Sequence, residues 1–183
     1  MSNTNISKKI LYWYDNNKRL LPWRKHNSKR QKEYFTLVSE FMLQQTQVKT
    51  VIPYFEKFVK KIPNLKRLSK INDKTLMKCW EGLGYYSRAK NLKKTAKKIV
   101  IDFKGCLPAN IDTLKTLPGI GDYTSNAIMA IAFNIPVIPL DGNVERILKR
   151  VLYLKKDYEI TKESLNKKKL IFGASKRSSD YAQ

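Results

Sequence analysis

Leu117-Pro118-Gly119-Ile120-Gly121 is the stretch that most restricts how this chain folds, because it forces a sharp reversal between two helical segments. Ile111 to Leu117 carries helical apolar spacing, Pro118 cannot continue that helix, and Gly119 and Gly121 permit a tight hairpin. The hairpin amides then open a second helix, expected from Asp122 through Ala132. Backbone N–H groups gathered at a helix start bind anions, so the hairpin reads as a phosphate cradle as well as a turn. It is not a dinucleotide fingerprint, since Thr124 stands at the third glycine position and no strand precedes it. Twenty residues after Gly121, Asp141-Gly142-Asn143-Val144 sets a carboxylate at the start of a further helix.

The rest of the chain repeats the helical period, and no period-two strand stands out. Ile6, Ile10, Leu11, Trp13 and Tyr14 form one apolar stripe, and Phe35, Val38, Phe41 and Met42 a second. Further helices are expected over Val48 to Lys61, Lys74 to Gly82, Ser87 to Asp102, Gly142 to Tyr153 and Thr161 to Ile171. Pro53 falls in the first turns of its helix, where proline is tolerated. Lys25 to Lys32 reads as a polar, basic, mobile loop. Ser178, Ser179 and Asp180 look like N-cap residues of a last helix that Tyr181, Ala182 and Gln183 begin and the chain does not complete.

Charge narrows the partners. The 183 residues include 37 Lys and Arg against 15 Asp and Glu, a formal net charge of +22, which favours a polyanion such as nucleic acid. A hydrophobic content of 42% is enough for a real core and excludes wholesale disorder. Cys79 and Cys106 lack any Cys-x-x-Cys spacing, so no disulfide framework and no protein-built metal site is expected. No leader and no membrane-spanning run is read, and the expectation is a cytoplasmic, nucleoid-associated monomer with no membrane contact.

Three further blocks bear on chemistry. Ser39-Glu40-Phe41-Met42-Leu43-Gln44-Gln45-Thr46-Gln47-Val48 puts one acid among apolar and amide side chains. Glu40 is either a solvated helix residue or a desolvated general acid with a raised pKa. Gln44 and Gln45 suit base edges or a gap in a duplex. Gly82-Leu83-Gly84-Tyr85-Tyr86-Ser87-Arg88 joins glycine hinges to two tyrosines, which either stack with bases or cap a core. Leu21-Pro22-Trp23-Arg24 pairs a stackable indole with a guanidinium, suited to a base pocket and equally to an ordinary helix end.

Taken in this order with Ile-Pro-Tyr-Phe (52 to 55), these blocks resemble the helix-hairpin-helix DNA glycosylase superfamily, and within it the MutY-type adenine glycosylases. The resemblance covers almost the whole chain. It implies an all-α, two-lobed fold: a six-helix barrel over residues 25–136 containing the helix-hairpin-helix at about 111–133, and a second lobe from 1–24 plus 137–183. It further implies hydrolytic removal of adenine mispaired with 8-oxoguanine or guanine in double-stranded DNA, as part of base-excision repair.

By the same resemblance, Asp141 stabilises or bonds to the sugar as the N-glycosidic bond breaks, and Glu40 protonates the departing adenine. Tyr123 and Asn143 support the reacting centre. Tyr123 stands where the endonuclease III type carries a Schiff-base lysine, so a monofunctional glycosylase is expected. Gln45 and Tyr85 fill the vacancy left by the extruded base, and Leu43 lies beside it. Gly119, Ile120 and Gly121 hold the neighbouring phosphate, with a possible monovalent cation at the hairpin. Leu21, Trp23, Arg24, Arg19 and Gln183 surround the adenine.

The departures from the family pattern are equally specific. The family carries a 4Fe-4S cluster on four cysteines after the helix that begins near Ser178, and those ligands are absent from this chain. The chain therefore reads as C-terminally truncated, ending before the cluster and before the domain that recognises 8-oxoguanine. The stretch from Asn27 to Lys32 is a few residues longer than the family's. Two other functions stand beside the first: an endonuclease III-like glycosylase/lyase, and a catalytically weak, truncated DNA-binding fragment.

Overall fold

A computed structural model describes residues 4–151 and 177–183, with the side chains of residues 4–6 excepted. The described residues are helical, with no strand among them. In chain order the α-helices are α1 (Thr4–Asn17), α2 (Lys29–Leu43), α3 (Val48–Lys61), α4 (Leu65–Lys70), α5 (Asp73–Trp80), α6 (Ser87–Asp102), α7 (Ile111–Lys115), α8 (Asp122–Phe133), α9 (Gly142–Val151) and α10 (Ser178–Tyr181). A single 3-10 turn, Pro22–Arg24, precedes α2.

Side-chain caps set where several helices begin. Ser28, Asn64, Asn72 and Asn110 each accept a backbone N–H from three residues ahead, at 3.2, 2.9, 2.7 and 2.8 Å. These bonds satisfy first-turn amides that have no helical partner, a contribution of about 1 kcal/mol each. At the other end of α8, Asn134 takes the left-handed conformation with φ 58° and closes the helix.

The centre of the molecule is α2, buried continuously from Glu33 to Met42. It packs against α3, α6 and α8, and α6 packs in turn on α4. One apolar cluster runs from Tyr34 to Ala132, including Phe41, Phe55, Phe58, Leu68, Leu92 and Leu114. Phe55 receives both Trp23 and Phe35 edge-on, with ring centroids 5.4 and 5.2 Å apart, which fixes the 3-10 turn to the core. Full burial of each such side chain contributes about 1.5–3 kcal/mol.

Helices α3 and α6 have the limits that their apolar spacing predicts. Other elements differ. The expected loop at 25–32 is shorter, because Ser28 caps α2 and Lys29 to Lys32 are already helical. Leu65–Lys70 is a helix that the spacing did not suggest, set by its Asn64 cap and by burial of Leu65 and Leu68. In α1, Tyr14 is buried but Trp13 is 62% exposed, so the predicted stripe is rotated: Tyr14 faces Arg24 and Trp13 the adjoining side. α10 begins after Arg177 with no side-chain cap, so Ser178 to Asp180 are its first helical residues and not the N-cap residues that the sequence suggests. The helix expected over Thr161 to Ile171 lies outside the described residues, as does the end of the one expected from Gly142.

The short C-terminal segment is tied down by specific bonds. The Ser179 amide donates to Asn134 Oδ1 at 2.9 Å and its hydroxyl to the Ile131 carbonyl at 3.0 Å. Arg177 bridges Asp15 of α1 and Asp180 of α10 through several N–H bonds of 2.5–2.9 Å. These contacts bring residues 177–183 against α1 and α8, beside the entrance to α2.

Candidate active site

A cleft of about 590 Å³ opens along one face of α2, where Lys32, Thr36, Ser39, Glu40 and Leu43 follow one another at helical intervals. Its other walls come from α1, the 3-10 turn, α8 and the C-terminal segment. Of the residues expected at the site, Glu40, Leu43, Tyr123, Arg19, Leu21, Trp23, Arg24 and Gln183 all line this cleft.

Glu40 is 9% exposed, and among the described residues nothing donates a hydrogen bond to its carboxyl. Burial alone pushes its pKa up to about 7. Cations in the same cleft are displaced by the same cause: burial lowers the pKa values of Arg24, Lys32 and His26. Desolvation acts here on both signs of charge, so burial rather than one neighbouring charge is the main cause of these shifts. Arg24 is held by a 3.1 Å bond to the Arg19 carbonyl and by the face of Tyr14, 5.6 Å away, while its buried Nε has no partner among the described residues.

Beside the cleft lies a second, shallower groove of about 430 Å³, lined by Gln44, Gln45, Tyr85, Ser87, Arg88, Tyr123 and Thr124. Gln45 and Tyr85 are two of four non-glycine residues with positive φ among the described residues, at 57° and 47°. Such conformations cost about 1 kcal/mol or more each and persist only where the surroundings enforce them. Both side chains are exposed at the groove.

Tyr123, at the start of α8, lines both cavities. Burial raises its pKa to about 12, and the charges of Glu40 and Asp141 add to the shift. The phenol is therefore neutral near pH 7 and lies within electrostatic reach of both carboxyl groups. Asp141 immediately precedes α9, where its Oδ1 accepts the amides of Asn143 and Val144 at 3.0 and 2.8 Å. Its Oδ2 has no partner among the described residues. Asn143 is exposed, and its side chain accepts a bond from Arg146 at 2.9 Å.

The hairpin differs in detail from its sequence reading. Gly119 alone has the left-handed φ, 81°, and a Cβ there would meet Phe41 at 2.8 Å and Asn91 at 3.0 Å. Gly121 has an extended backbone with φ −98° and open space where a side chain would go, so the turn itself does not demand glycine there. Ile120 is 5% exposed and belongs to the core, so its side chain packs inward rather than toward a ligand. Gln44 ties the loop after α2 to this hairpin, donating to the Gly119 carbonyl at 3.2 Å.

Lys32, Thr36, His26 and Tyr14 line the cleft without having been singled out from the sequence. Lys32 and Thr36 sit eight and four residues before Glu40, so the period of α2 carries their signal once its start is placed at Ser28. Nothing comparable in the sequence points to His26.

The family model of the HhH-GPD superfamily base excision DNA repair proteins matches residues 38–169. Among curated proteins, the adenine DNA glycosylase of Buchnera aphidicola subsp. Baizongia pistaciae is 45% identical over 142 residues, 77% of this chain and 39% of that protein. The human adenine DNA glycosylase is 44% identical over 147 residues, 78% of this chain and 27% of that protein. The chain thus spans well under half the length of these relatives. A thermostable thymine-DNA glycosylase superposes with a TM-score of 0.79 at 24% identity, over 98% of this chain and 83% of the other. An endonuclease III–DNA complex gives 0.73 at 20% identity, over 100% and 82%. With the hairpin and all-helical fold in place, this chain belongs to the HhH-GPD superfamily of base excision DNA repair proteins.

Proposed function

We propose that this chain removes adenine from double-stranded DNA, at adenines mispaired with 8-oxoguanine or guanine, as a monofunctional N-glycosylase of base-excision repair. The observation that carries this reading is Tyr123 at the start of α8, which lines the cleft together with Glu40 and the groove together with Gln45 and Tyr85. An extruded nucleotide with its base in the cleft places the scissile bond near that junction. Glu40, half protonated near pH 7, donates its proton to the departing adenine. The electron-deficient C1′ is stabilised by, or bonds to, Asp141 Oδ2, and water then adds at C1′ to leave an abasic site. Tyr123 and Asn143 hold the surroundings of this centre, and Tyr123 offers no amine for a Schiff base.

Leu21, Trp23, Arg24, Arg19, Leu43 and Gln183 form the adenine pocket in this reading, and Gln45 and Tyr85 enter the duplex where the base has left. The backbone at Gly119, Ile120 and Gly121 takes the adjacent phosphate, with the space at Gly121 admitting it. The two-lobed division is a barrel over 25–136 and a lobe from 1–24 plus 137–183; the apolar cluster includes neither Tyr14 nor Leu148, while Trp23 and Val137 pack against it where the two lobes would join. The chain works as a monomer on duplex DNA, in the cytoplasm at the nucleoid.

The family's 4Fe-4S cluster needs four thiolates, and this chain has two cysteines: Cys79, half-buried on α5, and Cys106, exposed after α6. Among the described residues no group of three metal-ligating side chains converges. The residues present do not fit the cluster. At the hairpin, the Pro118 and Gly119 carbonyls already accept bonds from Thr95 and Gln44, so a monovalent cation there would share them.

The test is a base-release panel on duplexes carrying adenine opposite 8-oxoguanine, thymine opposite guanine, or an oxidised pyrimidine. Release of adenine alone, with an intact abasic strand and no borohydride-trapped adduct, is expected. Pyrimidine release with trapping would replace the proposal by a lyase, and binding without any release would leave a DNA-binding fragment.

A further inference from the structure

Gln45 and Tyr85 lie forty residues apart in sequence, on separate loops, yet one buried side chain grips the backbone of both loops. Arg88, 6% exposed, reaches from the first turn of α6 between the end of α2 and the Gly82–Gly84 turn. Its Nη1 donates to the carbonyls of Met42 at 2.8 Å, of Phe41 at 3.4 Å and, in a short bond, of Gln44. Its Nη2 donates to the carbonyls of Leu83 and Gly84 at 3.1 and 3.2 Å. The guanidinium also lies 5.5 Å from the Tyr85 ring and 5.7 Å from Trp80. The residues that follow these gripped carbonyls, Gln45 and Tyr85, are the ones in left-handed conformations.

We infer that Arg88 is a positioning residue that welds the two loops into a single preformed wedge, so that Gln45 and Tyr85 enter a duplex as one unit. This rests on the function proposed above. Only a planar guanidinium, with donors fixed in a fork, serves carbonyls on two loops at once; an ammonium is a single point of attachment. Two left-handed residues held from one point are not independent, because release of either loop frees the clamp on the other. Further along the same face of α6, Asn91 backs Gly119 and Thr95 donates to the Pro118 carbonyl at 2.8 Å. The wedge and the hairpin are thereby referred to one helix.

The experiment is a double-mutant cycle on the full chain, read as equilibrium affinity for a duplex with 2-aminopurine opposite 8-oxoguanine. Gln45→Ala and Tyr85→Ala are each expected to weaken binding about tenfold, and the double variant by little more than the worse single. In an Arg88→Lys background the same alanine changes should lose most of their effect, the wedge being already disorganised, and the fluorescence rise on base extrusion should fall with it. Losses that multiply to about a hundredfold in the double variant overturn the inference, as do full-sized losses in Arg88→Lys. Should Arg88→Lys not fold, as circular dichroism would show, the cycle in the native background decides alone. A native chain that binds and shows the coupling but releases no adenine counts against the proposed function and leaves the wedge standing.

Discussion

Replacing Glu40 by glutamine should stabilise the protein at alkaline pH while removing the group expected to act as the acid. The folded chain holds a proton at Glu40 up to about pH 7, whereas an ordinary glutamic acid releases it near 4.5. Between those values unfolding releases a proton, so this group's contribution to stability is full below pH 4.5 and is lost as pH rises to about 7. A shift from 4.5 to about 7, at 1.36 kcal/mol per unit, corresponds to about 3 kcal/mol. Glutamine keeps the shape and cannot ionise. Urea unfolding of the native chain and Glu40→Gln from pH 4.5 to 8.5 should therefore show a difference that grows from near zero to about 3 kcal/mol in favour of the variant, levelling off above pH 7. Glu33, whose pKa burial also raises, is present in both proteins and cancels in the difference. A pH-independent difference would refute the claim that the Glu40 carboxyl is desolvated in the cleft.

The same titration bears on rate: single-turnover base release should fall as pH rises through about 7, and a rate flat from pH 6 to 9 would remove Glu40 as the acid. Gly119→Ala should cost about 2–4 kcal/mol in thermal or urea unfolding, because it adds left-handed strain and a 2.8 Å approach to Phe41. Gly121→Ala, with open space around it, should cost about 1 kcal/mol or less yet weaken duplex binding, which gel-shift titration would detect. Tyr123→Phe should leave the melting temperature nearly unchanged and slow base release by about tenfold, since it removes a hydroxyl that lines both the cleft and the groove.

Much of the fold is legible in the sequence because its helices are amphipathic and end at strong signals. The apolar spacing and proline punctuation delimit α3 and α6, and Pro118 with Gly119 marks the hairpin. α1 is less legible: neighbouring aromatic residues at Tyr12, Trp13 and Tyr14 allow several stripes, and packing against Arg24 selects Tyr14. At the site, side chains that gather in the cleft sit on recognisable blocks. Backbone roles are hidden, because a sequence does not distinguish one carbonyl from another. Arg88 thus reads as one more cation of a basic helix, although it binds five carbonyl groups. Gly82 is similar: its φ of 95° is visible only in the structure, where a Cβ would strike the Tyr54 hydroxyl at 2.1 Å.

The proposal that Glu40 and Asp141 act on one sugar is tested most directly by single-turnover adenine release from an 8-oxoguanine mispair, comparing the native chain with Asp141→Asn. Asparagine keeps an Oδ1 acceptor for the Asn143 and Val144 amides and so preserves the start of α9. The expected result is adenine release by the native chain, loss of at least about a thousandfold in the variant, and duplex affinity within about threefold of native. Release by Asp141→Asn at a rate close to that of the native chain would contradict it.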